Sequence, residues 1–422
     1  MFDVITIGSA TVDAFAYTET SELIKIQDSN SEQEFLAYKV GDKVIINELD
    51  FMIGGGGTNT AVSFSRLGFK TAYLGKLGAD ENGTKILNLL NKENIQFIGA
   101  REGQTGYSII LDSFQKDRTI LTYKGVNNEL READVLLSNL QTKWLYASSM
   151  IGKSFETLKS IIKVVKKTGA KIAFNPSSYQ AKRGLSELGE ILTNVDVLIL
   201  NKDEAQLLIN DKEDNTINLI RKLSKLGPEY IVITDGKNGV VATHEGKIYS
   251  ATPSQNIKVV ECTGAGDAFA SGFVAGLILE KDISYSLKLG MIQSENVIVK
   301  LGAKSDLIFK QDIENKMNEF KGEIKLIDTH DFNSYKAPEG KEFILSNGEK
   351  LYSIQDLALK LKFMPDEVFN FHNSGNHFID WLNNVFNLEK HTNKLQNIKS
   401  KFEMSDIILD CLKNQECDTN EN

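Results

Sequence analysis

The sequence has few cysteines, no long apolar run and no excess of basic residues. Its three cysteines, Cys262, Cys411 and Cys417, form neither a disulfide framework nor a paired metal-binding motif. Such sparse cysteine is typical of a reducing compartment. No apolar run approaches the roughly 18 to 20 residues that cross a membrane, and the first residues lack the basic region of a signal peptide. We therefore expect a cytoplasmic protein with no membrane partner.

The charge balance excludes a further class of partner. The chain carries 57 acidic and 48 basic residues, a net charge of −9. An acidic protein is poorly suited to nucleic acid as its main partner. A small anionic substrate remains compatible with this charge, because backbone dipoles bind phosphate locally. With 422 residues and 41% hydrophobic content, the chain is long enough for a large core and a second, smaller domain.

The most informative stretch is a turn of small residues that runs into an apolar helix, Glu261–Phe273. The first backbone N–H groups of a helix have no intrahelical acceptor and can hold an anion. Asp267 falls in the first turn of this helix, beside that anion site. A carboxylate next to a phosphate-binding turn indicates phosphoryl transfer to a hydroxyl group.

A second glycine-rich stretch, 54–68, runs from a loop into another predicted helix that ends near Gly68. Its four consecutive glycines allow a ligand to approach the backbone closely. The alternative is a flexible turn with Asn59 as the N-cap. The loop lacks the Lys-Ser/Thr ending of a Walker A motif and the spacing of a dinucleotide fingerprint. Asp13 follows a first buried strand, 2–8, and is either a ligand-binding residue at the edge of a sheet or an ordinary loop residue.

From residue 131 onward, strands alternate with helices, which predicts a parallel sheet covered by helices on both faces. The predicted strands are Lys143–Ala147, Lys171–Asn175, Val195–Leu200 and Tyr230–Thr234. Asn201 and Glu204 follow the third strand, and Thr234 and Gly236 stand at the end of the fourth. Because parallel strands end at one edge, these residues could share a cleft. A helix cap and a simple turn are the alternatives.

Together, the two glycine-rich stretches and the Asn-x-x-Glu motif between them resemble the ribokinase-like (pfkB) carbohydrate kinase family over roughly residues 1–320. The resemblance implies a three-layer α/β/α domain with a β lid, and the lid would comprise about 14–52 and 103–125. It also implies ATP and Mg²⁺ as cofactors and a sugar or nucleoside as acceptor.

By position, the resemblance implies a general base at Asp267 and an anion hole in the backbone of Gly264, Ala265 and Gly266. It implies that the acceptor is bound by Asp13, Gly55, Gly56 and Asn59. The nucleotide would be bound by Asn201, Glu204, Thr234 and Gly236, and Asn201 and Glu204 would hold Mg²⁺, mostly through water.

Several alternatives stay open at this point. Glu261 stands where the family usually has Asp at a monovalent-cation site, so activation by K⁺ is uncertain. The donor could be ADP, the acceptor could be a sugar phosphate, and the chain could be a nucleotide-binding regulatory protein without catalysis. Exposed sheet edges in the lid could pair in a homodimer.

The sequence of the last part of the chain predicts a separate domain. We expect the kinase domain over 1–322, a linker over 323–340 and a small helical domain over 341–417. His372 and His377 are five residues apart and do not share a helical face for a metal. The stretch resembles a small uncharacterised helical domain, and a regulatory or partner-binding role is a hypothesis.

Overall fold

The computed structural model describes residues 1–18, 22–27, 32–112, 118–328, 337–338, 340–386, 388, 392–396 and 398–414. The chain divides into two compact units, Met1–Asp328 and Thr329–Asn422. Among the described residues, none of the helices is long and apolar enough to cross a membrane.

The strands are numbered along the chain. They are β1 Phe2–Ile7, β2 Thr11–Tyr17, β3 Glu22–Gln27, β4 Glu32–Ala37, β5 Glu48–Gly54, β6 Thr71–Leu74, β7 Lys76–Leu77, β8 Gln96–Phe97, β9 Ala100–Arg101, β10 Gly106–Asp112, β11 Arg118–Tyr123, β12 Thr142–Ser148, β13 Lys171–Asn175, β14 Val197–Asn201, β15 Tyr230–Thr234, β16 Val240–His244, β17 Lys247–Thr252, β18 Glu323–Asp328, β19 Phe343–Ile344 and β20 Lys350–Leu351.

The α-helices are numbered in the same way. They are α1 Gly56–Arg66, α2 Glu81–Lys92, α3 Lys153–Lys166, α4 Ser178–Ala181, α5 Gly184–Leu192, α6 Lys202–Ile209, α7 Thr216–Leu223, α8 Ala265–Ile278, α9 Ile283–Val297, α10 Ile313–Glu319, α11 Ile354–Phe363, α12 Asp366–Ser374, α13 His377–Phe386 and α14 Lys401–Asn414.

The first unit is built on a sheet with the order β18-β17-β16-β15-β14-β13-β12-β1-β6-β8. Its strands from β15 to β8 are parallel, and β16, β17 and β18 extend one edge in antiparallel pairing. Most of these parallel strands are largely buried apolar runs, as expected for a sheet covered on both faces. The predicted parallel sheet is therefore confirmed, and the antiparallel extension was not foreseen.

Alternate strand residues point to opposite sides, so both faces of this sheet are apolar, and helices cover both of them. Ile5 packs in a core with Phe155 of α3 and Leu219 of α7. Its neighbour Val4 packs in a second core with Phe64 of α1 and Phe273 of α8. The resulting α/β/α arrangement is the three-layer fold predicted from the sequence.

A second sheet, with the order β11-β10-β2-β5, forms the lid. Strands β2 and β10 pair in parallel, and β5 and β11 flank them in antiparallel pairing. Asp13 lies within β2, opposite Met52 of β5 and Ser108 of β10. The alternative that Asp13 is a loop residue was therefore wrong, because a second strand, β2, follows β1 and includes it.

The predicted linker began too early. Residues 323–328 form β18, the last strand of the large sheet, in which Ala251 of β17 pairs with Ile324. The linker prediction over 323–340 is thus wrong for its first six positions, and residues 329–336 lie outside the described ones. The backbone pairing of an edge strand depends on its neighbour, which the local sequence does not reveal.

The second unit combines the small hairpin β19–β20 with helices α11 to α14. Its own apolar core includes Phe343, Leu357, Phe378 and Met404. Buried His372 accepts a hydrogen bond from the Ser346 amide through Nε2, at 2.8 Å. The described part of this unit is predominantly helical, which agrees with the sequence pattern.

Candidate active site

The start of α8 is an open helix N-terminus. Gly264 is its N-cap, with a φ of 81° and no side-chain cap. A Cβ at this position would lie 2.4 Å from the Cβ of Ala303, so glycine is required on both conformational and steric grounds. The Ala265 amide donates to the Cys262 carbonyl oxygen at 3.2 Å. In the first turn, the amides of Gly266 and Asp267 therefore remain for an anion.

Asp267 faces the second glycine-rich loop. Its Oδ2 accepts a hydrogen bond from Nδ2 of Asn59 at 2.7 Å, which joins α8 to α1. Burial raises the pKa of Asp267, while the Asn59 hydrogen bond and the positive charge of Lys304 act in the opposite direction. The carboxyl group is thus held in an environment that makes it a stronger proton acceptor than an exposed aspartate.

The glycine-rich loop brings backbone close to Asp267. Gly55 is the N-cap of α1, with a φ of 93°, so the alternative with Asn59 as the N-cap was wrong. Asn59 lies inside the helix, and its amide group is available to Asp267. A Cβ on Gly56 would lie 3.1 Å from Oγ of Ser148 and 3.3 Å from Oδ1 of Asp267. The loop therefore brings its backbone against the candidate base.

Asp13 reaches the same region from the lid. Its side chain is buried, and Oδ1 has no hydrogen-bond partner among the described residues. A Cβ on Gly54 would lie 1.8 Å from Oδ2 of Asp13, so this glycine makes room for the carboxylate. A buried polar atom without a partner is costly in a finished fold. The free oxygen of Asp13 is consistent with a hydroxyl-bearing ligand.

A first cavity, of about 290 Å³, opens beside Asp267. It is lined mostly by polar residues: Ser9, Gly56, Lys124, Asn127, Asn128, Ser148, Ser149, Met150, Ile151, Asn175, Pro176, Ser177, Tyr179, Glu204 and Asp267. Ser148 is buried, and its Oγ also has no hydrogen-bond partner in the described part of the chain. This cavity thus combines the candidate base with the unpaired hydroxyl of Ser148.

A second cavity, of about 780 Å³, lies on the other side of the start of α8. It brings together Thr234, Gly236, Ala265 and Gly266, whereas Glu204, expected to share a cleft with Thr234, lines the first cavity. Its apolar lining includes Phe269. Consecutive residues of α8 therefore face two cavities, since Ala265 and Gly266 line the second and Asp267 lines the first. Five predicted site residues line neither of them: Asp13, Gly55, Asn59, Asn201 and Gly264.

Asn201 and Glu204 form a capping box at the start of α6. Oδ1 of Asn201 accepts from the Glu204 amide at 2.8 Å, and Oε2 of Glu204 accepts from the Asn201 amide at 2.9 Å. The helix-cap alternative is therefore what the structure contains. Glu204 also lines the first cavity, and burial raises the pKa of its carboxyl group to about 7.

Two groups near Asp267 were missed by sequence reasoning: Lys304 and Ser148. Nζ of Lys304 donates to the Ile53 carbonyl oxygen at 2.6 Å and to Oδ1 of Asn59. Lys124, directly after β11, also lines the first cavity. Nothing in the local sequence around Lys304 indicates that the chain returns to the site there.

The comparison with known proteins identifies the family. A model described as pfkB family carbohydrate kinase matches residues 1–308. The chain belongs to this family. It is 29% identical over 250 residues to an uncharacterized sugar kinase of Archaeoglobus fulgidus, which covers 58% of this chain and 98% of that protein. It is 27% identical over 284 residues to the ribokinase of Haemophilus influenzae, covering 65% of this chain and 90% of that protein.

Solved structures agree on the fold. Adenosine kinase from Sinorhizobium meliloti superposes with a TM-score of 0.63 at 22% identity, covering 75% of this chain and 99% of that one. The pfkB match includes all of the candidate active-site residues, and it ends before the second unit. As a pfkB kinase, the protein is a phosphotransferase of the sugar and nucleoside kinase class.

Proposed function

We propose that the protein transfers the γ-phosphoryl group of ATP to a hydroxyl group of a sugar or nucleoside, with Asp267 as the general base. The observation that carries this proposal is the position of Asp267 at the open N-terminus of α8: it lines the first cavity, and its neighbour Gly266 lines the second. The first cavity would hold the acceptor and the second the nucleotide. A base at this junction touches the place where the two substrates meet.

The reaction forms one bond and breaks another. The acceptor hydroxyl gives its proton to Asp267 as its oxygen bonds to the γ-phosphorus, and the bond to the β–γ bridging oxygen breaks to release ADP. Phosphoryl transfer depends mainly on positioning and on stabilising charge. The amides of Gly266 and Asp267 would donate to the transferring oxygens. Asp13 and the loop around Gly55 would orient the acceptor.

The nucleotide would occupy the second cavity. Thr234 and Gly236 line one wall, and Phe269, Met291 and Ile298 add apolar surface that suits a nucleobase. Gly266 is open towards this space, because a Cβ there would meet nothing within 4 Å. A phosphate chain can therefore approach the α8 backbone without displacing a side chain.

Glu204 fits a role in holding Mg²⁺. Magnesium prefers oxygen ligands, keeps several waters and is usually bound through one or two carboxylates and the substrate phosphates. Glu204 supplies a carboxylate in the first cavity, whereas Oδ1 of Asn201 is already engaged in the capping box. When bound, the metal would neutralise phosphate charge. Because the pKa of Glu204 is about 7, its ionised fraction grows as the pH rises through neutrality.

A screen of acceptors tests this proposal. ATP-dependent release of ADP would be measured with sugars, sugar phosphates and nucleosides, for the wild type and for Asp267→Asn. We expect at least one acceptor to stimulate ADP release by the wild type. Failure of every member of the three classes would contradict the proposed acceptor class.

A sugar phosphate is a second candidate acceptor, and Lys124 favours it. Lys124 lines the first cavity, and its ammonium lies 5.7 Å from the centre of the Tyr179 ring. Within the described ranges, no carboxylate lies at ion-pair distance from it. Burial lowers the pKa of Lys124, and Asp13 opposes this effect. An anionic group on the acceptor would supply the missing partner.

We expect Lys124→Gln to raise KM for a phosphorylated acceptor about tenfold or more, since a hydrogen bond to a charged group contributes about 1.5–3 kcal/mol. KM for the corresponding unphosphorylated sugar should change about twofold at most, because only the charge contact is lost. Steady-state kinetics with the two matched acceptors measure this difference. Equal effects on both would contradict a phosphate contact at Lys124.

The outer face of the lid supports a proposed homodimer. Phe51, Ile109 and Leu121 belong to one cross-strand row and are 59%, 39% and 54% exposed. Contiguous exposed apolar side chains are typical of an interaction surface. A second copy of the lid offers a matching apolar face, because closed oligomers use the same patch on both subunits.

Leu121→Glu should convert the dimer to a monomer, because it places a charge in the apolar row. Light scattering would measure a mass of 47.0 kDa for the variant chain and about twice that for the wild type. Leu136→Glu is the matched control, since Leu136 is 66% exposed outside the lid. A monomeric wild type, or a Leu121→Glu variant that remains dimeric, would contradict an interface on this face.

A further inference from the structure

Lys304 is tied to Asp267 through one intervening side chain. Its ammonium donates to Oδ1 of Asn59, and Nδ2 of Asn59 donates to Oδ2 of Asp267. A second N–H of Lys304 is anchored on the Ile53 carbonyl oxygen at 2.6 Å. The three side chains come from different parts of the chain: the segment after α9, α1 and α8. They form a continuous chain of hydrogen bonds that ends on the candidate base.

We propose that Lys304 is a positioning residue for the transfer reaction, which fixes the amide of Asn59 so that its N–H group holds the carboxylate of Asp267. This inference rests on the proposed role of Asp267 as the base. It adds a residue that does not touch the acceptor in this arrangement and acts through Asn59.

The two ends of an asparagine amide differ in what they can do. The oxygen only accepts hydrogen bonds, and the nitrogen only donates them. With the ammonium of Lys304 on one side and Asp267 on the other, only one orientation of Asn59 satisfies both neighbours. The reversed amide would direct N–H at an ammonium and oxygen at a carboxylate. Lys304 therefore excludes the reversed orientation of the Asn59 amide, and Oδ2 of Asp267 keeps its hydrogen-bond donor.

The same arrangement leaves Oδ1 of Asp267 as the oxygen that can accept the proton. Oδ2 is occupied by Asn59, and Oδ1 lies close to the backbone at Gly56, where a Cβ would be 3.3 Å away. Gly56 and Asp267 both line the first cavity. By holding one carboxylate oxygen, the Lys304–Asn59 pair directs the other towards the acceptor.

Charge reinforces this geometry. Lys304 interacts with the negative charges of Asp13, Asp267 and Glu93 and with the positive charge of Arg66, and burial lowers its pKa to about 7. Asp267 also interacts with Glu204 and Tyr146. In the described part of the chain, Lys304 has no carboxylate at ion-pair distance. Its charge therefore acts on Asp267 through space and through Asn59.

Two substitutions separate the donor from the charge. Lys304→Met removes both and should lower kcat by about 10- to 100-fold, because Asn59 is then no longer fixed and Oδ2 of Asp267 loses its held donor. Lys304→Gln keeps an N–H donor of lesser reach and should recover a substantial part of that loss. KM for ATP should stay within about twofold in both variants.

The pH profile is a readout that a merely structural role would not move. Removing the positive charge of Lys304 raises the pKa of Asp267, so the acidic limb of the kcat profile should move to higher pH in both variants. Lys300→Met is the matched control, because Lys300 is exposed and pairs with Asp306. Thermal unfolding of each variant would establish that the fold is retained.

A double-variant cycle distinguishes failure of this inference from failure of the proposed base. If Lys304 acts through Asp267, adding Lys304→Met to Asp267→Asn should cause little further loss of kcat. Fully additive losses, or a Lys304→Met variant whose kcat and acidic limb match the wild type, would overturn the positioning role. Wild-type kcat in Asp267→Asn alone would overturn the proposed base instead.

Discussion

Asp267→Asn is expected to lower kcat by about 10²–10⁴-fold or more, which is the range for loss of a positioned general base. The amide has nearly the same shape as the carboxylate, so Asn59 can still donate to its oxygen. It cannot take a proton from the acceptor at neutral pH. KM for ATP and the midpoint of thermal unfolding should stay close to those of the wild type, because the proposed nucleotide site is the second cavity, which Asp267 does not line.

The pH profile extends this test. Because burial raises the pKa of Asp267, the wild-type rate should fall on the acidic side at a higher pH than for an ordinary aspartate. The rate is low where the carboxyl group is protonated and rises as the proton is lost. In Asp267→Asn, that acidic limb should be absent from the residual rate.

The control for this variant is Asp380→Asn. Asp380 is an exposed aspartate in the first turn of α13, in the second unit of the chain. Asp380→Asn should leave kcat and its pH profile unchanged. Near-wild-type turnover in Asp267→Asn would contradict the assignment of the base.

Gly266→Ala is the second prediction with a large effect. A Cβ at this position meets nothing within 4 Å, so the variant should fold normally. The methyl group would nevertheless project from the first turn of α8 into the second cavity, beside the amides proposed to bind the transferring group. We expect kcat to fall by about 10²–10³-fold, comparable to loss of one donor in an anion hole.

Gly189→Ala is the matched control for this substitution. Gly189 is also a helical glycine whose added Cβ meets nothing within 4 Å, and it lies in α5, away from both cavities. Replacing it should leave kcat unchanged and stabilise the protein by about 0.5–1 kcal/mol. Equal kcat values for the two variants would contradict an anion site at Gly266.

The sequence was sufficient where local pattern determines structure. Strands Lys171–Asn175 and Tyr230–Thr234 have the predicted bounds, because buried parallel strands are short apolar runs that end at polar turns. The turn before α8 was recognisable because a left-handed N-cap requires a residue such as Gly264. The family resemblance then placed these elements in a kinase fold, which the pfkB match confirms.

The rest of the site depends on tertiary contacts. Lys304, Ser148 and Asn59 are far apart in the sequence, and only the folded chain joins them around Asp267. The cap of α1 was misassigned because asparagine is a common N-cap, whereas Gly55 holds that position and Asn59 serves Asp267. Similarly, only the fold brings Lys124, directly after β11, into the lining of the first cavity.

The central claim is that the γ-phosphoryl group moves from ATP to an acceptor hydroxyl at Asp267. Phosphorus NMR of the wild type, with ATP, Mg²⁺ and the best acceptor from the screen, measures this transfer directly. We predict that a phosphomonoester of the acceptor appears in step with ADP, and that Asp267→Asn forms it at least about 100-fold more slowly. Release of inorganic phosphate without a phosphomonoester, or equal rates in the two proteins, would contradict the claim.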